Sequence, residues 1–484
     1  MNPIRRFPLA AAVYASGDFL IKASGFFLLP ILTRYLSPAD YGILAGVNAV
    51  ALVLGVLFSL NLNSALMRLY GDCTDESERR NLVGSLILFS GAWALGVVIL
   101  LNAVGPVLLD NVFKEVRFQP YIRIGTWIAL LNSLTVLPLT LLQIQQRPLL
   151  HRTFALMSFS LNTGFTILFV VVFRMGAYGA LVGQLVGGAL AATPYMAFVR
   201  RHMNAVVSPA VLKMCLAFSM PLLVYAIGGW FVDSSNRFFI ERFMSLRDLG
   251  LFNVGNQIAM ILGYMLNAAG LAFTPLFYET ARLSEGPRIL ARFAGIYIAA
   301  TLGLALVVAV FSRDAIRLLT QSQFHEAYAV VPILVLTQAL TSFWHLIVSP
   351  LMLKNKTVRV MFSMLVCAAA SIVFNFLLVP RYGIHGAAAS SLLANLLLNA
   401  IVFFSSIRAY PVPYDYRRLG LTVLSAAVVY FVATRIPGET TFASVVGRSG
   451  IVALYPLLLI VLSIIDKTEV QRLLSWTHIV KERV

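Results

Sequence analysis

Only a few charged or polar residues of this 484-residue chain fall within or at the ends of its apolar runs, and these are the ones placed to do chemistry there. Asp18 and Lys22 are four apart within the run 8–35, so on a helix they share one face and can pair. Asp233, Asn236 and Arg237 close a later run, and Arg123, Arg152, Asn162 and His345 lie in or beside others. A charged group held in a bilayer is costly, so each instance is a functional candidate. Guanidinium and ammonium groups recognise phosphate and pyrophosphate well. Lys22, Arg237, Arg123 and Arg152 are therefore the candidates to meet such a group. Asp18, Asp233, Asn236 and His345 are the candidates for a polar cavity or for ion coupling. Each has a plainer reading. Asp18 and Lys22 can form a neutral packing pair, and Arg237 can snorkel to the headgroups. Arg123 and Arg152 can be interfacial, Asp233 a solvated span end, and His345 and Asn162 hydrogen-bonded packing residues. Pro138 and Pro350 fall near the ends of two runs, where a lost helical hydrogen bond gives either a hinge or a static kink.

Missing chemistry narrows the classes. There is no GxxxxGK[ST], hence no nucleotide hydrolysis of the Walker type. No CxxC, HExxH or clustered His/Cys/Asp set argues for a metal. No extended soluble loop carries acidic pairs for glycosyl transfer. Cys215 and Cys367 sit in apolar runs as packing residues, and Cys73 in a hydrophilic stretch as a free thiol. The expectation is a protein that is not an enzyme and needs neither cofactor nor metal.

The elements that position these groups follow from composition. Of all residues 59% are hydrophobic and 12% charged. A spanning helix needs roughly 20 apolar residues, so the apolar pool suits about fourteen spans. A water-soluble enzyme of this composition would lack the surface charge to stay dispersed. An ordinary nucleic-acid binder is excluded too, despite the +17 formal charge. The runs are too long and too uniform for the alternating strands of a membrane barrel, and a backbone in lipid must bond internally, so they are helices. The fold class is an all-α polytopic membrane protein of about fourteen spans, beginning at 8–35 and ending at 419–434 and 447–465. The first run has no cleavage site after it and is expected to be retained. Most of the 37 basic residues fall in connections on the same side as Arg5 and Arg6, which places that side in the cytoplasm. Both termini are then cytoplasmic, with Arg435 and Arg448 on the outer side. The charge run 72–80 reads as a solvated cytoplasmic loop, and residues 470–480 of the cytoplasmic tail 466–484 as lying along the inner leaflet or disordered.

Two internal matches organise the spans. Thr33-Arg34-Tyr35-Leu36-Ser37-Pro38-Ala39-Asp40-Tyr41-Gly42 matches Glu241-Arg242-Phe243-Met244-Ser245-Leu246-Arg247-Asp248-Leu249-Gly250, with Arg, Ser, Asp and Gly in identical places. Arg174-Met175-Gly176-Ala177-Tyr178-Gly179-Ala180 matches Arg381-Tyr382-Gly383-Ile384-His385-Gly386-Ala387 at nearly the same offset. The repeat is six spans long, an even number, so both copies keep one orientation and are related by an axis along the membrane normal. The expected division is two pseudo-symmetric six-helix lobes, 1–206 and 207–410, then two more helices in 411–465 and the tail 466–484.

The first motif, the segment Asn236-Arg237-Phe238-Phe239-Ile240 with Leu249-Gly250, and Tyr382-Gly383-Ile384-His385-Gly386-Ala387-Ala388 resemble the polysaccharide exporters and flippases of the multidrug/oligosaccharidyl-lipid/polysaccharide superfamily. The resemblance implies two six-helix lobes around a central, often cationic cavity in the bacterial inner membrane. It also implies translocation of undecaprenyl-diphosphate-linked oligosaccharide for O-antigen, capsule or exopolysaccharide synthesis. Lys22 and Arg237 fit the family's cavity cations by position. The implied partners are the lipid-linked glycan, membrane lipids, and a polymerase and chain-length regulator of the same pathway, with no nucleic acid. Three rivals stay open: a cation-coupled drug exporter of the same superfamily, a membrane glycan-assembly enzyme, and a scaffold.

Overall fold

The structure, a computed structural model, describes residue 25, residues 28–436 and residues 442–462. Among the described residues the protein is all-α with no strand. Twelve helices there are long and apolar enough to cross a membrane. One of them, Thr357–Ala409, breaks at Gly383 (φ 58°, ψ −135°) and holds both of the runs expected at 358–379 and 384–407. The runs expected at 419–434 and 447–465 are the helices Tyr416–Arg435 and Phe442–Val461. Residues 8–24, 26 and 27 of the run 8–35 and the whole tail 466–484 lie outside the described residues, and with them Asp18 and Lys22.

Contacts divide the described chain into two units: 28–254 with 364–394, and 255–363 with 395–436 and 442–462. The first unit opens with α1 (Pro38–Ser59). Ser37 starts this helix through a capping box: its hydroxyl accepts from the Asp40 N–H, and the Asp40 carboxylate accepts from the Ser37 N–H. Pro38, at N1, has no N–H to leave unpaired. The sequence suggests one helix across 41–67, but Leu60 and Asn61 are left-handed (φ 45° and 54°) and end it, and α2 (Leu62–Leu69) restarts it. α3 (Glu76–Val112) corrects a second expectation, that 72–80 is a loop. Asp75 accepts from the Glu78 N–H, and Glu76 and Glu78 lie in the first turn, where the helix dipole favours acids.

α4 (Arg123–Ile144), α5 (Pro148–Ile167) and α6 (Gly176–Arg200) follow. α5 and α6 meet backbone to backbone: a Cβ at Gly183 or Gly187 would run into Thr166 or Asn162. Small residues every fourth position allow that approach. α7 (Pro209–Ser234), α8 (Asn236–Phe243) and the start of α9 (Leu246–Thr280) complete the unit, together with 364–394 of α13, the helix Thr357–Ala409. Leu66, Leu86, Leu141, Leu142, Val199 and Cys215 form a buried cluster at its centre.

In the second unit the rest of α9 packs with α10 (Gly286–Leu319), α11 (Val331–Ser342) and α12 (Trp344–Leu353). α14 (Tyr416–Arg435) and α15 (Phe442–Val461) lie against α10, with Leu306 and Val310 meeting Val429, Tyr455 and Leu459 in one cluster. Arg448 is not solvent-exposed. It is buried inside α15 and forks onto Asp314 of α10, with Nη1–Oδ2 2.7 Å and Nη2–Oδ1 3.0 Å. The apolar faces that α15 and α10 bury against each other carry the pair inward with them.

Candidate functional site

Both internal repeats take matching backbone roles. Gly176 and Gly383, mates at one offset, are the glycines with positive φ (59° and 58°) among the described residues. Ser245 and Asp248 reproduce the Ser37–Asp40 capping pair, with the Ser245 hydroxyl donating at 2.6 Å. The two copies also touch each other. A Cβ on Gly42 would overlap the carbonyl oxygen of Leu246, and a Cβ on Gly250 would overlap that of Pro38. Gly250 is the mate of Gly42 and Leu246 the mate of Pro38, so the contact is reciprocal, as an isologous two-fold contact must be.

Glu241, in the second copy, is 1% exposed. Its carboxylate accepts three successive backbone N–H groups, from Lys114 (2.9 Å), Glu115 (2.6 Å) and Val116 (3.0 Å). Glu115 in turn accepts from the Leu246 N–H. Nothing in the sequence around Glu241 announces this role, because its partners are main-chain groups some 125 residues upstream.

Beside this contact lies a buried polar cluster at the α7–α8 junction and on α13. Asn236 (4% exposed) donates to Ser391 at 3.0 Å, and Asn375 (1% exposed) donates to the Ser371 carbonyl at 2.8 Å and to Ser235 at 3.4 Å. Ser235 and Ser371 both donate to the Phe231 carbonyl. The Oδ1 atoms of Asn236 and Asn375 are buried and find no donor among the described residues. Buried oxygens are ordinarily satisfied. No group of three or more His, Cys, Asp or Glu suited to a metal occurs among the described residues. Asn236 was in view from the sequence; Asn375 was not, although Ser371 and Asn375 are four apart on one face of an apolar run.

The other candidates are spread out. Asp233 is exposed and Arg237 half-buried, and the guanidinium donates to the Asp233 carbonyl at 3.3 Å. Arg123, exposed at the start of α4, donates to Asn102 at 3.0 Å, and Asn102 donates to Thr126. Arg152 is half-buried on α5, where Asn162 donates to the Ser158 carbonyl. His345 packs over Gly270 in the second unit. Pro138 and Pro350 are buried inside α4 and α12. The structure therefore joins Asn236 to a cluster and places Arg237 and Asp233 within one turn of it. It does not gather Arg123 and Arg152 there, and His345 belongs to the second unit.

Outside the spans, burial and then the Glu78 charge raise the Cys73 thiol above its usual value. Burial, with Tyr416 nearby, pushes Tyr414 up to about 12.

Long apolar helices, a twofold internal repeat and buried polar groups between helices define a multi-pass all-α membrane protein. Over residues 31–277 the chain matches the family described as "Polysaccharide biosynthesis protein", and it belongs to that family. It is 23% identical over 290 residues to "Lsg locus putative protein 1" of Haemophilus influenzae, covering 56% of this chain and 66% of that protein. An "Uncharacterized membrane protein" of the same organism matches at 23% identity, with 57% of this chain and 66% of that protein covered. Among solved structures the fold is similar to "Lipid II flippase MurJ, inward closed conformation" (TM-score 0.73, 14% identity, 92% of this chain and 98% of that one). It is also similar to an inward-facing multidrug resistance MATE family transporter of the MOP superfamily (TM-score 0.62, 15% identity, 82% and 98%).

Proposed function

We propose that the protein moves an undecaprenyl-diphosphate-linked oligosaccharide from the inner to the outer leaflet of the bacterial inner membrane, for O-antigen, capsule or exopolysaccharide synthesis. The observation that carries this reading is the reciprocal Gly42–Leu246 and Gly250–Pro38 contact in a chain of the polysaccharide biosynthesis family. Two parallel halves meeting on a pseudo-two-fold suit a path that opens alternately to each side by rocking. The halves are the lobes 1–206 and 207–410, with 411–465 as two added helices, and both termini are cytoplasmic. Arg237 is the leading contact for the diphosphate. One of its five N–H donors goes to the Asp233 carbonyl, and the remainder suit phosphate oxygens. Lys22 is its counterpart in the first lobe, with Arg123 and Arg152 as further cations along the path.

Asn236 with Asn375 is the site for a coupling cation, and Asp18, Asp233 and His345 are secondary polar groups. Pro138 and Pro350 are the bending points. A polymerase and a chain-length regulator act on the delivered glycan. The protein makes and breaks no covalent bond in this reading. The two donor-free amide oxygens favour a second reading, a cation-coupled exporter of small molecules.

Leaflet exchange decides between them. Protein in liposomes with labelled polyprenyl-diphosphate glycan should expose label to an external enzyme with its mass unchanged. Arg237→Gln and Lys22→Gln should slow exchange more than Asp233→Asn does. Asn236→Leu should remove any ion dependence while substrate binding persists. Product of altered mass, or wild-type protein that moves no lipid-linked glycan but moves organic cations, would overturn the proposal.

A further inference from the structure

The second unit carries a surface feature that the translocation path does not use. A cleft of about 330 Å³ opens between the start of α10 and the segment that leads into α14, lined by Arg288, Arg292, Arg418 and Asp415. Leu419 forms part of its wall and also of a second cleft, about 310 Å³, walled by Phe343, Leu346, Phe403 and Tyr414. Both volumes fall at the lower end of the range for ligand pockets. The first cleft is cationic, with three arginines against one carboxylate among its lining residues. The second is almost wholly apolar.

Position fixes what this pair of clefts meets. Arg288 and Arg292 stand on the first two turns of α10, and Arg418 on the first turn of α14, so the cations sit where two spanning helices begin. Arg292 is six residues into α10, roughly 9 Å along its axis. At 34 residues α10 exceeds the roughly 20 that a crossing needs, which leaves length for its first two turns at headgroup level. Arg288 pairs with Glu285 at 2.9 Å and Arg418 with Asp415 at 3.2 Å, all four side chains well exposed. Exposed pairs of this kind hold weakly, so a lipid phosphate can compete for the guanidinium forks. Clustered arginines at a helix start attract anionic lipid, and the adjoining apolar cleft receives a chain. The Tyr414 phenol stays neutral in that apolar wall at physiological pH.

We propose that the joined clefts bind one anionic phospholipid of the surrounding bilayer, its phosphate between Arg288, Arg292 and Arg418 and one acyl chain along Leu419 into the cleft of Phe343 and Phe403. None of the residues that line it is among those assigned to the proposed glycan path, and it stands whether or not that reading holds. A lipid held there bridges α10, α12, α13 and α14, the helices that supply its walls.

The full-length protein is reconstituted in phosphatidylcholine doped with phosphatidylglycerol, and the lipid it retains on extraction is counted by native mass spectrometry. Wild-type protein should retain phosphatidylglycerol in preference. R292Q/R418Q should lose affinity for it roughly thirtyfold, the loss expected for two interfacial arginines. K354Q/K356Q, which removes the same charge at another turn, should retain it. L419W, which blocks the junction without altering charge, should also lose it. Unfolding in pure phosphatidylcholine confirms that each variant is folded. Equal retention by R292Q/R418Q and wild type would overturn the assignment. So would displacement of phosphatidylglycerol by inorganic phosphate alone, which marks a plain anion site. Displacement by an equal amount of polyprenyl diphosphate would overturn it as well, because the cleft would then belong to the substrate.

Discussion

Alanine at Gly42 tests the reciprocal contact, because two opposing effects of known size meet there. In a helix interior, glycine to alanine gains up to about 1 kcal/mol from backbone entropy. Gly55 lies in the same helix with nothing within 4 Å of a built Cβ, so Gly55→Ala should show that gain unopposed. At Gly42 the new methyl meets the Leu246 carbonyl, and at Gly250 the Pro38 carbonyl. Both obstacles are main chain and cannot swing aside as a side chain would. Overpacking of this kind costs about 1–3 kcal/mol. Gly42→Ala and Gly250→Ala should therefore each fall about 1–3 kcal/mol below Gly55→Ala in stability. The double variant should fall short of the sum by about 0.5 kcal/mol or more, since the second methyl enters space the first has opened. Denaturation of the purified proteins in one detergent measures all four. Gly42→Ala as stable as Gly55→Ala would refute the contact. A strictly additive double would refute its reciprocity, leaving two independent packing sites.

Arg448→Met should destabilise the protein by about 3–5 kcal/mol by leaving the largely buried Asp314 without its partner, and Asp314→Leu with Arg448→Met should recover most of that, both read by thermal unfolding. Glu241→Gln keeps one acceptor oxygen where three N–H groups converge. Amide exchange at 114–116 should accelerate, with about 1–3 kcal/mol lost from stability. The raised thiol of Cys73 stays protonated to higher pH than an ordinary cysteine, so maleimide labelling should be slow near neutrality and its rise with pH displaced upward. Glu78→Gln should move that rise back toward the usual thiol range.

Much of the architecture was legible because it depends on composition and on turns. Apolar runs fixed where helices cross, and Ser37–Asp40 with Ser245–Asp248 announced two helix starts that the hydrogen bonds then bear out. Gly176 and Gly383 stood at matching places, and both take a positive φ. What stayed hidden depends on partners distant in the chain. Arg448 reads as a rim cation at the edge of an apolar run, because Asp314 is 134 residues away. Glu241 looks like any polar residue in a connection until the loop at 113–116 folds beneath it. Asn375 is one amide in an apolar stretch, and only the neighbouring Ser235 and Asn236 give it meaning. The break at Leu60–Asn61 carries no glycine or proline and so leaves no mark in the pattern.

The reciprocal contact also explains which letters of the duplicated motif are interchangeable. Gly42 and Gly250 contribute the absence of a side chain, and each is irreplaceable in its copy. Pro38 and Leu246 contribute a carbonyl oxygen, which every amino acid has, so side chains as unlike as a pyrrolidine ring and an isobutyl group serve equally. Their remaining difference is one N–H: proline has none, and that of Leu246 is taken up by Glu115. The two halves can therefore drift apart in spelling while keeping one shared surface, provided the drift avoids the positions whose contribution is empty space.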